Sequence, residues 1–138
     1  MTTLSALQTT LAAEHAAVYL YGVLGGRTSA AATPGLLETV TAAYTEHRSR
    51  RDLLVRTITD LDATPVAAEP VYALPSALTN PAQVRRAGRE LEQSCAATYA
   101  FLVANTAGTQ RRWAIGALNE AAVRSLDLGG RPEDFPGA

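Results

Sequence analysis

The chain has 138 residues, 47% hydrophobic and 18% charged, which suits one globular domain with a sizeable core. Its net charge of −1 argues against a nucleic-acid partner, which requires a basic surface. The single cysteine, Cys95, excludes an internal disulfide framework and a cysteine-rich zinc site. All twelve basic residues are arginines, spread over every part of the chain, a composition bias more than a chemical signal. MTTLSALQTT lacks the basic start and apolar run of a signal peptide, and no apolar run reaches the roughly 20 residues that span a bilayer. The expectation is a cytoplasmic protein without membrane contact.

Taken in chain order, the pattern predicts four helices and no strand. The first covers about 5–24, with Ser5 and Gln8 in capping-box positions and Gly25-Gly26 as the stop. The second covers about 34–61, opening at Thr33-Pro34 and fading before Pro65. The third, about 81–105, opens at Asn80-Pro81 with Gln83 three residues after the cap. The fourth, about 110–128, stops at Gly129-Gly130. Short links within the first and second pairs predict two antiparallel hairpins. Between them lies DATPVAAEPVYALPSALTN. Extended, that linker could reach about 60 Å, whereas the third helix is only about 39 Å long. It can therefore cross the whole bundle and start the third helix at the far end. The runner-up is an up-down-up-down bundle with a redundant loop. Tyr72, Leu74 and Pro75 are expected to pin the crossover to the bundle.

The densest charge in the chain, YTEHRSRRD at 44–52, falls in the middle of the second helix. On a wheel of about 100° per residue, Leu37, Val40, Tyr44, His47, Arg51, Leu54, Ile58 and Leu61 form one seam. Glu38, Thr45, Ser49, Arg56 and Asp60 lie opposite, towards water. Glu46 with Arg50, and Arg48 with Asp52, have the spacing of modest surface ion pairs. His47 and Arg51 remain on the core side. A buried arginine needs a carboxylate. Glu14, among Leu7, Leu11, Val18 and Tyr21 of the first helix, offers one at the same height, with His15 on the opposite shoulder. The third helix presents Val84, Gly88, Leu91, Cys95, Thr98 and Leu102, with Glu92 and Tyr99 on its edge and Glu90 pointing away. The fourth presents Ile115, Leu118, Ala122 and Ser125 or Leu126. Asn119 borders that seam, while Glu120 lies behind it, paired with Arg124.

An acidic or histidine residue at mid-height in successive helices, together with the long crossover, resembles the ferritin-like superfamily. The chain is more closely similar to an uncharacterised actinobacterial family within it, a domain of unknown function. The matching pieces are Glu14-His15 followed by Tyr19-Leu20-Tyr21-Gly22, and His47 with Arg50-Arg51-Asp52. Tyr72-Ala73-Leu74-Pro75, Leu91-Glu92 with Tyr99, and Phe135-Pro136-Gly137 complete them. The resemblance implies a ferritin-like four-helix bundle, commonly dimeric, with no established activity. Ferritin-like enzymes hold two metal ions on Glu and Glu-x-x-His motifs. Here Tyr44 stands three before His47, and Val123 three after Glu120, where that pattern wants Glu and His.

Two readings of the polar layer follow. In the first, the protein is no enzyme. A buried network of Glu14, His15, Tyr21, Tyr44, His47, Arg51, Glu92 and Tyr99 replaces the metal centre, Arg51 supplying the positive charge, and no cofactor is needed. In the alternative, Glu14, His47 and Glu92 bind iron or manganese for oxidase or iron-handling chemistry. Separately, Ala13, Ala16, Ala17, Leu20 and Val23 make the outer face of the first helix nearly free of charge. A homodimer interface is expected there, unless the crossover covers it. Cys95 reads as an inert core thiol. Nothing in the sequence names a small-molecule ligand.

Overall fold

The computed structural model describes residues 2–75 and 77–138. Four helices make up the bundle: α1 (Thr3–Gly26), α2 (Pro34–Asp60), α3 (Pro81–Ala104) and α4 (Gly108–Asp127). No strand occurs among the described residues. α1 starts one turn earlier than the expected cap. The Thr2 side chain accepts from the Ser5 backbone N–H, and Ser5 reaches back to the Thr2 N–H. Gln8, released from capping, instead holds the crossover: its amide donates to the Thr64 carbonyl and accepts from the Val66 N–H. α3 opens as expected, with Asn80 Oδ1 accepting from the Gln83 N–H at 2.9 Å. α4 ends at Asp127; just beyond its cap Gly129 has a φ of +86°, which suits glycine, and the Gly130 N–H returns to the Ser125 carbonyl.

The contacts fix the helix directions. The start of α1 meets the end of α3, through Thr3 Oγ1 donating to the Asn105 carbonyl. The start of α3 meets the end of α4, through Arg89 donating to the Leu128 carbonyl. The first halves of α2 and α3 share one apolar cluster, built on Leu36, Val40, Val84, Leu128 and Tyr21. α2 and α3 are therefore parallel, and the described residues between them, 62–75 and 77–80, connect opposite ends of the bundle, as the linker length allows. Tyr72 anchors the crossover by its ring, 5.4 Å from that of Tyr19, and Leu78 is buried at its end. Leu74 and Pro75, expected to pin the crossover with Tyr72, are exposed.

A second apolar cluster, with Leu7, Leu11, Leu54, Ile58 and Leu102, fills the opposite end. Between the two lies a middle level of small side chains, Ala17, Cys95, Ala96, Ala117 and Ala121, with Tyr99. Two seams turn out rotated. α2 buries Leu36, Val40, Ala43, His47, Arg50, Leu54 and Ile58, so 40, 47, 54 and 58 are where the wheel put them. The alternating positions are 36, 43 and 50 rather than 37, 44 and 51. α4 buries Ala114, Ala117, Ala121 and Ser125, and leaves Ile115 and Leu126 exposed. Alanines take the inner face because α3 packs close against it. The water-facing set on α2, Glu38, Thr45, Ser49, Arg56 and Asp60, is exposed as expected.

Candidate functional site

Halfway along the bundle each helix sends polar groups inward. Glu14 comes from α1, His47 and Arg50 from α2, Glu92 and Tyr99 from α3, and Arg124 from α4. Tyr21, one turn-pair beyond Glu14 on the same face of α1, joins them. Glu14, His47 and Glu92 are wholly buried. His47 is the centre. Its Nδ1 lies 2.5 Å from Glu14 Oε2, and its Nε2 lies 3.1 Å from Glu92 Oε1. An ionised carboxylate only accepts, so with both carboxylates ionised the two ring nitrogens donate and the ring is an imidazolium. Each carboxylate takes a second donor from a tyrosine: Tyr21 donates to Glu92 Oε1 at 2.5 Å, and Tyr99 donates to Glu14 Oε1. The result is one chain, Tyr99–Glu14–His47–Glu92–Tyr21, through the middle of the core. The Tyr21 ring also stacks on the imidazole, centroids 5.3 Å apart.

The ionisation states follow from these partners. Burial alone would lower the His47 pKa, but the hydrogen bonds from Glu14 and Glu92 outweigh it and raise the value above the usual 6.5. Burial works to raise the Glu92 pKa, and the His47 and Tyr21 bonds and the charges of His47 and Arg124 bring it below 4.5. Burial first, then the neighbouring carboxylates, push both phenols up. Burial does the same to Cys95, an inert thiol at this level.

A second polar group closes the layer on its α2–α4 side. Arg50 donates to Tyr99 Oη at 3.1 Å, to Glu46 at 2.8 Å, and across to Glu120 on α4. Arg124 reaches the other way, donating to Glu46 on α2, with Nη1 3.5 Å from Glu92 Oε1. Two arginines and two glutamates thus cross the gap in both directions. Burial opposes ionisation of Glu46, but its bond with Glu120 and the charges of Arg50 and Arg124 lower its pKa to about 2. Glu120 is raised by that same bond with Glu46 and then by burial.

Of the residues expected in the network, Glu14, Tyr21, His47, Glu92 and Tyr99 meet there. Arg51 does not: it is half-buried at the edge and pairs with Asp52, its chain neighbour. Arg50, read from sequence as a surface residue, is the buried guanidinium. Both 50 and 51 lie within a turn of His47, and the position of α4 selects Arg50. Tyr44 sits on the α1 side, beside Gly22 and under the Arg48 guanidinium, outside the network. Arg48 therefore makes a cation–π contact in place of the expected pair with Asp52. His15 faces the crossover, its Nε2 3.0 Å from the Val66 carbonyl. Glu120 and Arg124, expected to pair with each other, each bind α2 instead. Of the outer-face set on α1, Ala17 is wholly buried in the middle of the core, while Ala13, Ala16, Leu20 and Val23 are half-buried.

The donor set does not fit a dication as arranged. A nitrogen or oxygen ligand sits about 2.0–2.2 Å from such a metal. His47 Nδ1 and Glu14 Oε2 are 2.5 Å apart, with the proton between them and no room for an ion. Both nitrogens of the imidazole are committed to the carboxylates that would have to share the metal. No group of three or more His, Cys, Asp or Glu side chains among the described residues has metal-binding geometry.

The match to known proteins agrees with the four-helix architecture. The chain belongs to the family described as a domain of unknown function, DUF4439, whose model matches residues 6–138. A crystal structure of a conserved hypothetical protein, rv2844, from Mycobacterium tuberculosis is similar to it. That structure shares 28% identity, covers 92% of this chain and 94% of its own, and has a TM-score of 0.84. No curated protein matches the chain. Among the described residues, no helix is long and apolar enough to cross a membrane.

Proposed function

We propose that this chain is a non-catalytic bundle of ferritin-like type, in which an imidazolium takes the position that metal ions hold in ferritin-like enzymes. The observation that carries the reading is His47, hydrogen-bonded through both nitrogens to buried carboxylates on two other helices. A positive charge is needed there because Glu14 and Glu92 converge in the core. His47 supplies it from within the chain, with Arg50 and Arg124 behind. Such a layer admits one register of the four helices, since any slip leaves a charge unpaired. Its role is specification of the fold, and the function of the protein then lies on its surface, as an assembly module. Homodimerisation through the half-buried outer face of α1 (Ala13, Ala16, Leu20, Val23) is part of this reading. In support, the hydrogen bonds and ring contact of the crossover to α1 fall on Gln8, His15 and Tyr19 and not on that set.

The direct test is nitrogen-15 NMR of His47. Two protonated, slowly exchanging ring nitrogens at pH values above the ordinary histidine range are expected. A stoichiometric iron or manganese content in purified protein, lost in Glu14→Ala, would overturn the reading. A monomeric mass in light scattering at micromolar concentration would remove the dimer from it.

A further inference from the structure

Helix α4 carries large apolar side chains on the side away from the bundle. Alanines form its inner face, whereas Ile115, Val123 and Leu126 are 43%, 58% and 42% exposed. At about 100° per residue these three fall on one outer stripe with Arg112, Gly116, Asn119 and Asp127. α4 packs on α3 and, sparsely, on α2, so no other helix of the chain covers the stripe. Gly116 leaves it open near its middle, where a Cβ would meet nothing within 4 Å. Three exposed aliphatic side chains within about three turns of one helix form a patch, unlike the single exposed apolar residues of an ordinary surface.

The stripe reads nearly the same from either end. About a midpoint between Asn119 and Glu120, Arg112 lies as far along the helix as Asp127, and Gly116 as far as Val123. Ile115 and Leu126 match about nearly the same point. Gly116 and Val123 share one edge of the stripe, and Ile115 and Leu126 share the other. A two-fold axis through the midpoint therefore brings each edge against its own counterpart. Arg112 and Asp127 are both exposed, and neither is in an ion pair among the described residues. Opposite, unpaired charges at equal distances from the midpoint make the face complementary to an antiparallel copy of itself.

We propose that the outer face of α4 binds a second copy of the chain, through an antiparallel α4–α4 contact about a two-fold axis near Asn119. Val123 of each copy lies over Gly116 of the other, where the missing side chain lets the helices approach. Ile115 packs on Leu126, and Arg112 meets Asp127 at both ends. A partner of unrelated sequence gives no reason for the symmetry of the stripe. α1 and α4 lie diagonally across the bundle, so this face is separate from the outer face of α1. The contact goes beyond the dimer proposed there.

The test is oxidative cross-linking of the whole chain carrying Asn119→Cys, with Ser49→Cys on the exposed side of α2 as control. The native Cys95 is buried and stays silent. A disulfide-linked dimer is expected from Asn119→Cys and not from Ser49→Cys. Charge reversal then reads the register, by light scattering over a concentration series. Arg112→Glu and Asp127→Arg should each weaken association by about tenfold, because each change acts at both ends of the pair, and the two together should restore it. Val123→Glu should weaken it by more. Equal cross-linking from the two cysteines, association unchanged by all three α4 substitutions, or a double variant weaker than both singles would overturn the contact. Every one of these changes lies on α4 or the control site, so the contact can fail while the α1 dimer stands, and loss of the α1 dimer leaves the cross-link in place.

Discussion

The two hairpins of this bundle meet along two unlike seams. Where α1 faces α3, the middle is filled by small side chains, with Ala17 sharing a cluster with Cys95 and Ala96, and the backbones run close together. Where α2 faces α4, the backbones stay apart and long charged side chains span the gap, Arg50 to Glu120 and Arg124 to Glu46. The first seam is held by dispersion and the exclusion of water, the second by hydrogen-bonded charge. The comparison shows how one bundle can bury a charged layer. The tight seam excludes solvent from Glu14 and Glu92, and the wide one makes room for the arginines that help neutralise them.

The comparison can be broken most severely at the layer both seams share. Glu14→Ala leaves the His47 imidazolium and the Tyr99 hydroxyl without their acceptor. Removing one partner of a buried pair costs about 3–5 kcal/mol, so denaturant unfolding should show a large fall in midpoint or no cooperative transition. The same layer can be strained by pH alone. His47 has a raised folded value, so its contribution is fully present below about 6.5 and is lost as pH rises from there through the higher folded value. Glu92 and Glu46 have lowered values, so theirs are present above about 4.5 and are lost as pH falls, for Glu46 towards about 2. A plateau of stability from about pH 5 to about 6.5, falling on both sides, is expected in midpoint-against-pH measurements. A midpoint that rises steadily from neutral to alkaline pH would contradict the imidazolium.

The seams themselves should respond differently. Ala17→Leu at the tight seam forces extra methylenes into filled space, with an expected loss of about 1–3 kcal/mol that added salt does not change. Glu46→Gln at the wide seam should lose about 1 kcal/mol, and the difference from the parent should shrink in high salt, because Glu46 and Glu120 are partly exposed. Equal salt dependence in the two variants would erase the distinction. The smallest effect is expected at Gly88→Ala. The new Cβ meets only the flexible end of Leu128, at 2.9 Å, and the lost helical glycine offsets part of the strain. A change of under about 1 kcal/mol in either direction fits.

Much of this was legible in the residues. Pro and Gly punctuation marks four helices, with ends shifted by one or two residues; only at α1 did the cap move to Thr2. Linker length allows the parallel placement of α2 and α3 and favours it over an up-down-up-down bundle with a redundant loop. The inward position of Glu14 and His47 follows from spacing, because each sits a whole number of turns from apolar neighbours, whereas Glu92 reads only as a seam-edge residue. Arg50 and Arg124 were missed for a definite reason. Each also fits a surface i, i+4 pair, Glu46–Arg50 and Glu120–Arg124, and the wheel cannot separate a flank that faces water from one that faces another helix. The one available signal was the excess of charge at 46–52 over what a solvent face requires.

The sequence by itself determined which stretches are helical, that the chain between the hairpins is long enough to return the length of the bundle, and that His47 stands at the core level of Glu14. These are consequences of local periodicity and chain length, which need no partner. Tertiary structure alone decided that Arg50 rather than Arg51 enters, that alanines rather than Ile115 and Leu126 form the inner face of α4, and that His47 rather than an arginine bridges the carboxylates. Each of those choices depends on the angular position and distance of a neighbouring helix. On a single helix, steps of three and of four residues keep the same seam, and only the neighbour's surface distinguishes them.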